Sequence, residues 1–259
     1  MKIITNGIET WYDITGIGPW LVLSHSLACN SSMWDPQIAE LTKHFKVLRY
    51  DTRGHGQTEA PPAPYTLDQL ADDAKALFDA LGVKDPHWCG LSMGGMIGQT
   101  LALKYPGVAK SLVLADTTSR YPAEATALWM DRIKTAREKG MGALVDGTLA
   151  RWFTDPYRTA QPDVMKLVGG WIAATPVEGY AGCCYALPQI NVTDRLKALQ
   201  LPALVIVGEQ DMGTPPAMAR AIHEALPGSK LVMIPSAAHL SNMEQPAAFT
   251  RALLDFLPQ

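Results

Sequence analysis

The stretch from His87 to Gly98, HWCGLSMGGMIG, decides the fold that we predict for this chain. Its first residues have the apolar character and length of a strand, and its last residues continue into the helical pattern of GQTLALKY. At the junction, Gly90, Ser92 and Gly94 fit G-x-S-x-G, in which a sharp strand-to-helix turn exposes the serine hydroxyl at the C-terminal edge of a sheet. Glycine is needed at both flanking positions because a Cβ there would collide with the neighbouring strand or helix.

A phosphate-binding loop is the alternative interpretation of such a glycine-rich turn. The stretch contains no Gly-Lys-Ser/Thr, and Ser92 occupies the position where G-x-G-x-x-G needs its second glycine. These differences favour a reactive hydroxyl over a phosphate site. A tight turn with a bystander serine remains open at this point, because short glycine-serine motifs also arise by chance.

Apolar runs of strand length recur along the chain, with amphipathic stretches between them. The runs are almost wholly apolar, which is typical of strands buried on both faces of a parallel sheet. They cover Trp20–His25, Lys46–Asp51, His87–Leu91, Ser111–Asp116, Ala203–Gly208 and Lys230–Pro235. The predicted helices cover Thr66–Leu81, Gly95–Tyr105, Pro216–Leu226 and Gln245–Leu257. This alternation predicts an α/β fold with a mostly parallel sheet flanked by helices.

One interval, from about Ser119 to Leu201, interrupts the alternation. It has no clear strand pattern and contains helical stretches at Ala123–Glu138, Met141–Trp152, Asp163–Ala173 and Glu178–Leu187. We predict that residues 119–201 form a helical cap, or lid, inserted into a core made of residues 1–118 and 202–259. Additional helices packed into the core are the alternative.

Composition narrows the function classes. The net charge of −3 and the absence of a basic cluster argue against a nucleic-acid or membrane partner. No long apolar segment suggests a signal peptide or a membrane span, and the four cysteines show no C-x-x-C spacing, so we expect a cytoplasmic protein. The histidines lack ligand-like spacing, and we expect neither a metal nor another cofactor. The sequence does not determine the oligomeric state.

A serine hydroxyl needs a base to take its proton and an acid to orient that base. In this architecture the order along the chain is serine, acid, histidine. His239, in a loop after a predicted strand, is favoured over His223, which falls inside an amphipathic helical run. Asp211 follows the penultimate predicted strand and is favoured as the acid over Asp116, for which capping of a loop is the alternative.

Donors for a tetrahedral oxyanion are expected on the backbone. The first is the N–H of Met93, the residue after the nucleophile. The second comes from the loop after the first long apolar strand, LSHSLACNSSMW, where we expect the N–H of Leu27.

Taken with the segment DTRGHG at Asp51–Gly56, these motifs resemble the α/β-hydrolase family over essentially the full chain. Within it, GLSMGGMIGQ, FKVLRYDTRGHGQTEAP and RWFTDP are most similar to 3-oxoadipate enol-lactonases. The loop of that group usually reads Ser-Asn-Ser-Leu-Gly, so that His25 replaces an asparagine and Ala28 a glycine. The resemblance implies that DTRGHG is a structural turn, and His55 is given no catalytic role.

The resemblance implies a metal-free serine hydrolase that opens a small carboxylic ester or lactone, specifically an enol-lactone, with Ser92 as nucleophile. A substrate carboxylate would require a cation, for which Arg132 near Trp129 is the candidate, although a solvated arginine is the alternative. Trp34, Met33 and Trp152 are candidates for the apolar part of the cleft, with core packing as the alternative. A broad carboxylesterase with perhydrolase or lactamase side activity is the enzymatic rival. The alternative that is not an enzyme is a ligand-binding receptor with a hydrolase-like fold.

Overall fold

The computed structural model describes residues 1–258 and contains one eight-stranded sheet. Its strands are β1 (Lys2–Thr5), β2 (Ile8–Thr15), β3 (Trp20–Ser24), β4 (Lys46–Tyr50), β5 (His87–Leu91), β6 (Ser111–Ala115), β7 (Ala203–Gly208) and β8 (Lys230–Ile234). The strand order across the sheet is β1-β2-β4-β3-β5-β6-β7-β8. The strands from β4 to β8 pair in parallel, whereas β2 pairs antiparallel with both β1 and β4. The predicted mostly parallel sheet is confirmed.

All six predicted strands are present, and their bounds differ from prediction by no more than one residue. The amino-terminal hairpin of β1 and β2 is not among the predicted strands. Its signal is the Asn6-Gly7 pair, because a type I′ hairpin turn needs positive φ at both of its central residues and this pair adopts it readily. In the structure φ is 48° at Asn6 and 77° at Gly7.

Eleven α-helices flank the sheet or cover one of its edges within the described residues. They are α1 (Asp35–Leu41), α2 (Leu67–Leu81), α3 (Met93–Lys104), α4 (Ala125–Lys139), α5 (Val145–Trp152), α6 (Asp155–Ala160), α7 (Pro162–Ala174), α8 (Val177–Ala186), α9 (Pro216–Ala225), α10 (Ser241–Glu244) and α11 (Pro246–Phe256). Short 3-10 helices occur at Ser31–Trp34, Met141–Leu144, Leu187–Gln189 and Thr193–Ala198. Helices α4 to α8 all lie between β6 and β7 in the chain. None of the helices in residues 1–258 combines the length and apolarity needed to cross a membrane.

Burial of the central strands follows from their apolar composition. Every residue of β5, β6 and β7 is buried, as expected for strands covered by helices on both faces. The indole of Trp88 on β5 packs between the rings of Tyr50 and Phe78, with centroid distances of 6.4 and 6.1 Å. Because the parallel strands share one direction, the loops that follow them meet at the same edge of the sheet. The candidate site lies at this edge.

Candidate active site

Ser92 occupies a strained turn between β5 and α3. Its φ of 55° and ψ of −111° fall where a residue with a Cβ is disfavoured. Two bonds to neighbouring segments hold this conformation. The Ser92 N–H donates to the carbonyl of Ala115 at 2.8 Å, and the hydroxyl of Thr117 donates to the Ser92 carbonyl at 2.7 Å.

The glycines around the serine are required by close backbone contacts. A Cβ on Gly90 would lie 2.1 Å from the Gly94 carbonyl oxygen, and a Cβ on Gly94 would lie 2.2 Å from that of Ser24. A Cβ on Gly95 would meet the side chain of Thr117 at 2.7 Å. The predicted steric reason for glycine at both motif positions is confirmed.

A chain of hydrogen bonds joins Ser92, His239 and Asp211. The Ser92 Oγ lies 2.9 Å from His239 Nε2, and His239 Nδ1 lies 2.9 and 3.0 Å from the two carboxylate oxygens of Asp211. Since a carboxylate can only accept, Nδ1 carries the proton and Nε2 is left to accept the serine proton. The three side chains, separated widely in sequence, therefore have the geometry of a nucleophile, a base and an orienting acid.

The Asp211 carboxylate is also held by hydrogen bonds from the residues that follow it in its own loop. Its Oδ1 accepts from the N–H groups of Gly213 and Thr214 at 2.7 and 3.0 Å, and its Oδ2 accepts from the Thr214 hydroxyl at 2.9 Å. Its side chain is completely buried. A buried carboxylate needs such donors to offset the loss of water, and these also fix the direction of its oxygens. Glycine is favoured at position 213 for a steric reason as well, because a Cβ there would lie 2.9 Å from His239 Nδ1.

Asp116 and His223, the alternative candidates for the acid and the base, form other hydrogen bonds. Asp116 accepts from the N–H of Gly208 and the hydroxyl of Ser241, which ties the end of β7 to α10. Burial, and then the negative charge of Asp211, raise the pKa of Asp116 well above its ordinary value. His223 lies on α9, where its Nδ1 bonds to the hydroxyl of Ser229.

The two expected oxyanion donors lie at the same edge of the sheet as the serine. Met93 is the first residue of α3, where N–H groups have no acceptor within the helix and the helix dipole favours negative charge. Leu27 and Ala28 belong to the loop after β3 and line the same cavity as Ser92 and His239. Ala28 has a φ of 57°, a conformation more usual for glycine.

The cavity above Ser92 is lined by the sheet edge on one side and by helices α4, α5, α7 and α8 on the other. It has an empty volume of about 730 Å³ that includes its opening to solvent. Its lining combines the serine and histidine with aromatic and aliphatic side chains: Ser26, Leu27, Ala28, Ser92, Tyr121, Ala125, Leu128, Trp129, Arg132, Leu144, Thr148, Arg151, Trp152, Ile172, Tyr180, Leu187, Gly213 and His239. Two of these residues are arginines and none is a carboxylate.

Neither arginine of the cavity forms an ion pair with a carboxylate of residues 1–258. Arg132 lies over the ring of Trp129, 4.7 Å from its centroid, and Arg151 donates to the hydroxyl of Thr148 at 3.3 Å. Within residues 1–258 no carboxylate comes within ion-pair distance of either guanidinium. Burial, and then the positive charge of Arg132, lower the pKa of Arg151. An anion bound in this cavity would relieve that repulsion.

Comparison with known proteins identifies the family of this chain. Residues 19–246 match the family described as alpha/beta hydrolase fold. The chain belongs to the α/β-hydrolase family. The predicted fold class and the predicted resemblance are both confirmed.

Comparison with individual members of the family shows which hydrolases this chain is similar to. The hydrolase is 38% identical to 3-oxoadipate enol-lactonase 2 of Acinetobacter baylyi, over 91% of this chain and 87% of that protein. It superposes on the crystal structure of the enol-lactonase from Burkholderia xenovorans LB400 with a TM-score of 0.96 and 40% identity, covering 100% of both chains. It is also 32% identical to a RutD protein of Pseudomonas savastanoi pv. phaseolicola, named for carbamate hydrolysis, over 92% and 93% of the two chains.

The expectation that Trp34 and Met33 line the cleft of the hydrolase is wrong. Both side chains are completely buried and do not reach the cavity. The indole of Trp34 packs against Phe249 of α11 at a centroid distance of 6.0 Å, and the carbonyl of Met33 accepts from Asn242. Both therefore belong to the core beneath the site.

The other predicted residues of the cavity are found in its lining. Trp129 and Arg132 reach it from α4, and Trp152 reaches it from the end of α5. The ring centroid of Trp152 lies 6.1 Å from that of His239. Arg151 was not predicted, although it stands beside Trp152 in the stretch RWFTDP. The helical pattern of the sequence predicts which face of α5 is apolar, but it does not predict which helix or strand packs against that face. The sequence therefore contains no signal that Arg151 enters the cavity.

Proposed function

We propose that this protein is a serine hydrolase that opens a small carboxylic ester or lactone, specifically 3-oxoadipate enol-lactone in aromatic catabolism. The hydrogen-bonded chain of Ser92, His239 and Asp211 carries the proposed reaction type. Two arginines line the cavity without an ion-pair partner in residues 1–258, and together with the likeness to enol-lactonases they support the substrate. The four buried cysteines, all free thiols, agree with a cytoplasmic location.

The reaction begins at the serine hydroxyl. Ser92 Oγ attacks the lactone carbonyl while His239 Nε2 takes its proton, and Asp211 stabilises the imidazolium that forms. Negative charge moves to the carbonyl oxygen, where the N–H groups of Leu27 and Met93 donate to it. These donors are fixed by the backbone, so that little reorganisation is needed as the charge develops.

The ring opens when the tetrahedral intermediate collapses. The bond between the carbonyl carbon and the ring oxygen breaks, and His239 gives its proton to the leaving enol oxygen. The enol becomes a ketone, which draws the reaction forward. A water molecule deprotonated by His239 then attacks the acyl carbon. The bond from that carbon to Ser92 Oγ breaks, His239 returns the proton to Oγ, and the acid product leaves.

The helical segment 119–201 acts as the cap in this proposal. Arg132 and Arg151 bind the carboxylate carried by the lactone, since a guanidinium matches a carboxylate with two parallel hydrogen bonds. Trp129 and Trp152 supply the apolar walls that hold the ring over Ser92. The substrate is thus selected by the cap, and the bond to be broken is selected by the sheet edge.

A carbamate is the second candidate substrate, because the RutD likeness covers nearly the same part of the chain. The same nucleophile would attack its carbonyl, and the same arginines would favour an anionic substrate. A broad carboxylesterase is the third. The three are separated by the ratio of kcat/KM for the enol-lactone, for carbamate and for a neutral aryl ester.

The test combines that substrate panel with Ser92→Ala. We expect the enol-lactone to be preferred over the aryl ester, and the variant to lose about a million-fold in kcat on every substrate while keeping its fold. Labelling of Ser92 by a fluorophosphonate separates an enzyme from a ligand-binding receptor. Hydrolysis retained by folded Ser92→Ala would contradict the reaction type, and equal rates on lactone and aryl ester would contradict the substrate.

A further inference from the structure

His25 is the first residue of the predicted oxyanion loop after β3, and its side chain is completely buried. Its Nδ1 is 2.7 Å from the carbonyl oxygen of Ser26, and its Nε2 is 2.9 Å from the backbone nitrogen of Thr52. The imidazole thus bridges the loop after β3 and the turn after β4.

Both contacts require one neutral tautomer of His25. A carbonyl oxygen only accepts, so the Ser26 oxygen requires a proton on Nδ1; a backbone N–H only donates, so Thr52 requires a bare Nε2. Burial lowers the pKa of His25 to about 4, which keeps the ring neutral at pH 7. The bridge is therefore complete under ordinary conditions.

The carbonyl of Ser26 and the N–H of Leu27 belong to one planar peptide unit. In a trans peptide these two groups point in opposite directions, so fixing one fixes the other. The Cys29 N–H also bonds to the Ser26 oxygen, at 3.2 Å, but it lies within the same loop and moves with it. His25 provides a shorter bond from a ring that is anchored to a separate segment.

That separate segment is itself well supported. Thr52 follows Asp51, whose carboxylate accepts from the N–H groups of Ser31 and Gln57 at 2.8 and 2.9 Å. Through Asp51, the turn after β4 is therefore hydrogen-bonded to an earlier residue, Ser31, and to a later one, Gln57. Because His25 bonds to both Thr52 and the Ser26 carbonyl, it holds the Ser26–Leu27 peptide in a fixed position relative to this turn.

We propose that His25 is a positioning residue that aims the Leu27 N–H at the oxyanion by holding the Ser26 carbonyl on the opposite side of the same peptide. This inference rests on the proposed function, since it assumes that an oxyanion forms at Ser92. It predicts that loss of the imidazole weakens binding of the transition state without weakening binding of the substrate.

The experiment compares His25→Ala, His25→Asn and His55→Ala. Asparagine keeps one donor and one acceptor and serves as the conservative replacement. His55 is the matched control, because it is also a buried histidine and its ring centroid is 5.4 Å from that of His25, but its Nδ1 bonds to the Arg53 carbonyl. The measurements are kcat and KM on an aryl ester, the inhibition constant of a trifluoromethyl ketone, and the melting temperature.

For His25→Ala we expect kcat to fall by roughly tenfold to a hundredfold, with a matching loss of affinity for the trifluoromethyl ketone and little change in KM. His25→Asn should recover most of the loss. His55→Ala should keep kcat within about threefold, whatever its cost in stability. An unchanged kcat in folded His25→Ala, or an equal loss in His55→Ala, would overturn the positioning role.

A measurement on the wild-type protein guards against a His25→Ala variant that fails to fold. Histidine labelled with ¹⁵N should show His25 protonated at Nδ1 only, and the trifluoromethyl ketone should shift the amide signal of Leu27. A proton on Nε2, or a Leu27 signal that does not move, would overturn the inference while wild-type hydrolysis left the proposed function intact. A wild-type protein without esterase or lactonase activity would overturn both.

Discussion

Asp211 meets His239 through both of its carboxylate oxygens, which lie 2.9 and 3.0 Å from the same ring nitrogen. The carboxylate is buried and accepts three further hydrogen bonds from Gly213 and Thr214. The loop after β7 thus fixes the direction of the imidazole through the Asp211 carboxylate. It is this arrangement that leaves Nε2 facing the serine hydroxyl.

Asp211→Asn should reduce kcat by about ten-thousand-fold, because an amide can stabilise the wrong tautomer of His239 and cannot stabilise the imidazolium. The variant should fold, since asparagine has nearly the same shape. The measurement is kcat on an aryl ester together with the melting temperature.

Asp116→Asn is the matched control for that experiment. Its carboxylate accepts hydrogen bonds from Gly208 and Ser241, and within residues 1–258 it forms no hydrogen bond with His239. We expect kcat to stay within about tenfold of wild type. A larger loss in Asp116→Asn than in Asp211→Asn would reverse the assignment of the acid.

Arg132→Met and Arg151→Met should each lower kcat/KM for the carboxylate-bearing lactone by roughly tenfold to a hundredfold, the value of one charged hydrogen-bonded contact. The rate on a neutral aryl ester should change little. Arg137→Met on the same helix as Arg132 is the control, because Arg137 pairs with Glu178 and does not line the cavity. Equal losses on the charged and neutral substrates would show that the arginines shape the cavity without recognising a carboxylate.

Gly94→Ala should prevent stable folding, because the new Cβ would lie 2.2 Å from the carbonyl oxygen of Ser24, an atom of the central sheet. Gly142→Ala is the control, since its added Cβ would have no atom of the described residues within 4 Å apart from its chain neighbours and the backbone of its own helical turn. Circular dichroism and the melting temperature should show loss of the fold in the first variant and wild-type stability or better in the second. A stable Gly94→Ala would contradict the steric explanation of the motif.

The parts of the molecule that could be predicted are those coded by local patterns. The turn at Ser92 follows from glycines at fixed spacing, and the strands from apolar runs with sharp ends. The assembly of His239 and Asp211 at the serine followed from their order along the chain, because successive parallel strands bring their following loops to one edge.

What could not be predicted depends on packing between distant segments. Trp34 was expected in the cleft but is covered by α11, which contributes Phe249 from the far end of the chain. Arg151 enters the cavity because of the way α5 packs against α7. The sequence identifies a tryptophan or an arginine on a helix, but burial is decided by the partner element.

His25→Asn should reduce the dependence of stability on pH. In the folded protein the pKa of His25 is about 4, whereas an unfolded chain has its ordinary histidine value of 6.5. Above that ordinary value neither state is protonated and the full stability is present. As the pH falls from 6.5 towards 4, only the unfolded chain takes up the proton, so each pH unit removes about 1.4 kcal/mol from the free energy of unfolding.

Urea unfolding at pH 7 and at pH 5 measures this effect. The wild-type protein should lose about 2 kcal/mol more than His25→Asn between the two values, since one buried neutral imidazole has been removed. His55→Asn should behave similarly, because burial and then the neighbouring His25 lower the pKa of His55 to about 3. Carboxylates that titrate over the same range are present in all three proteins and cancel in the comparison. Identical losses in wild type and variant would mean that His25 is not held neutral, and the hydrogen-bonded bridge between Thr52 and Ser26 would then be absent in solution.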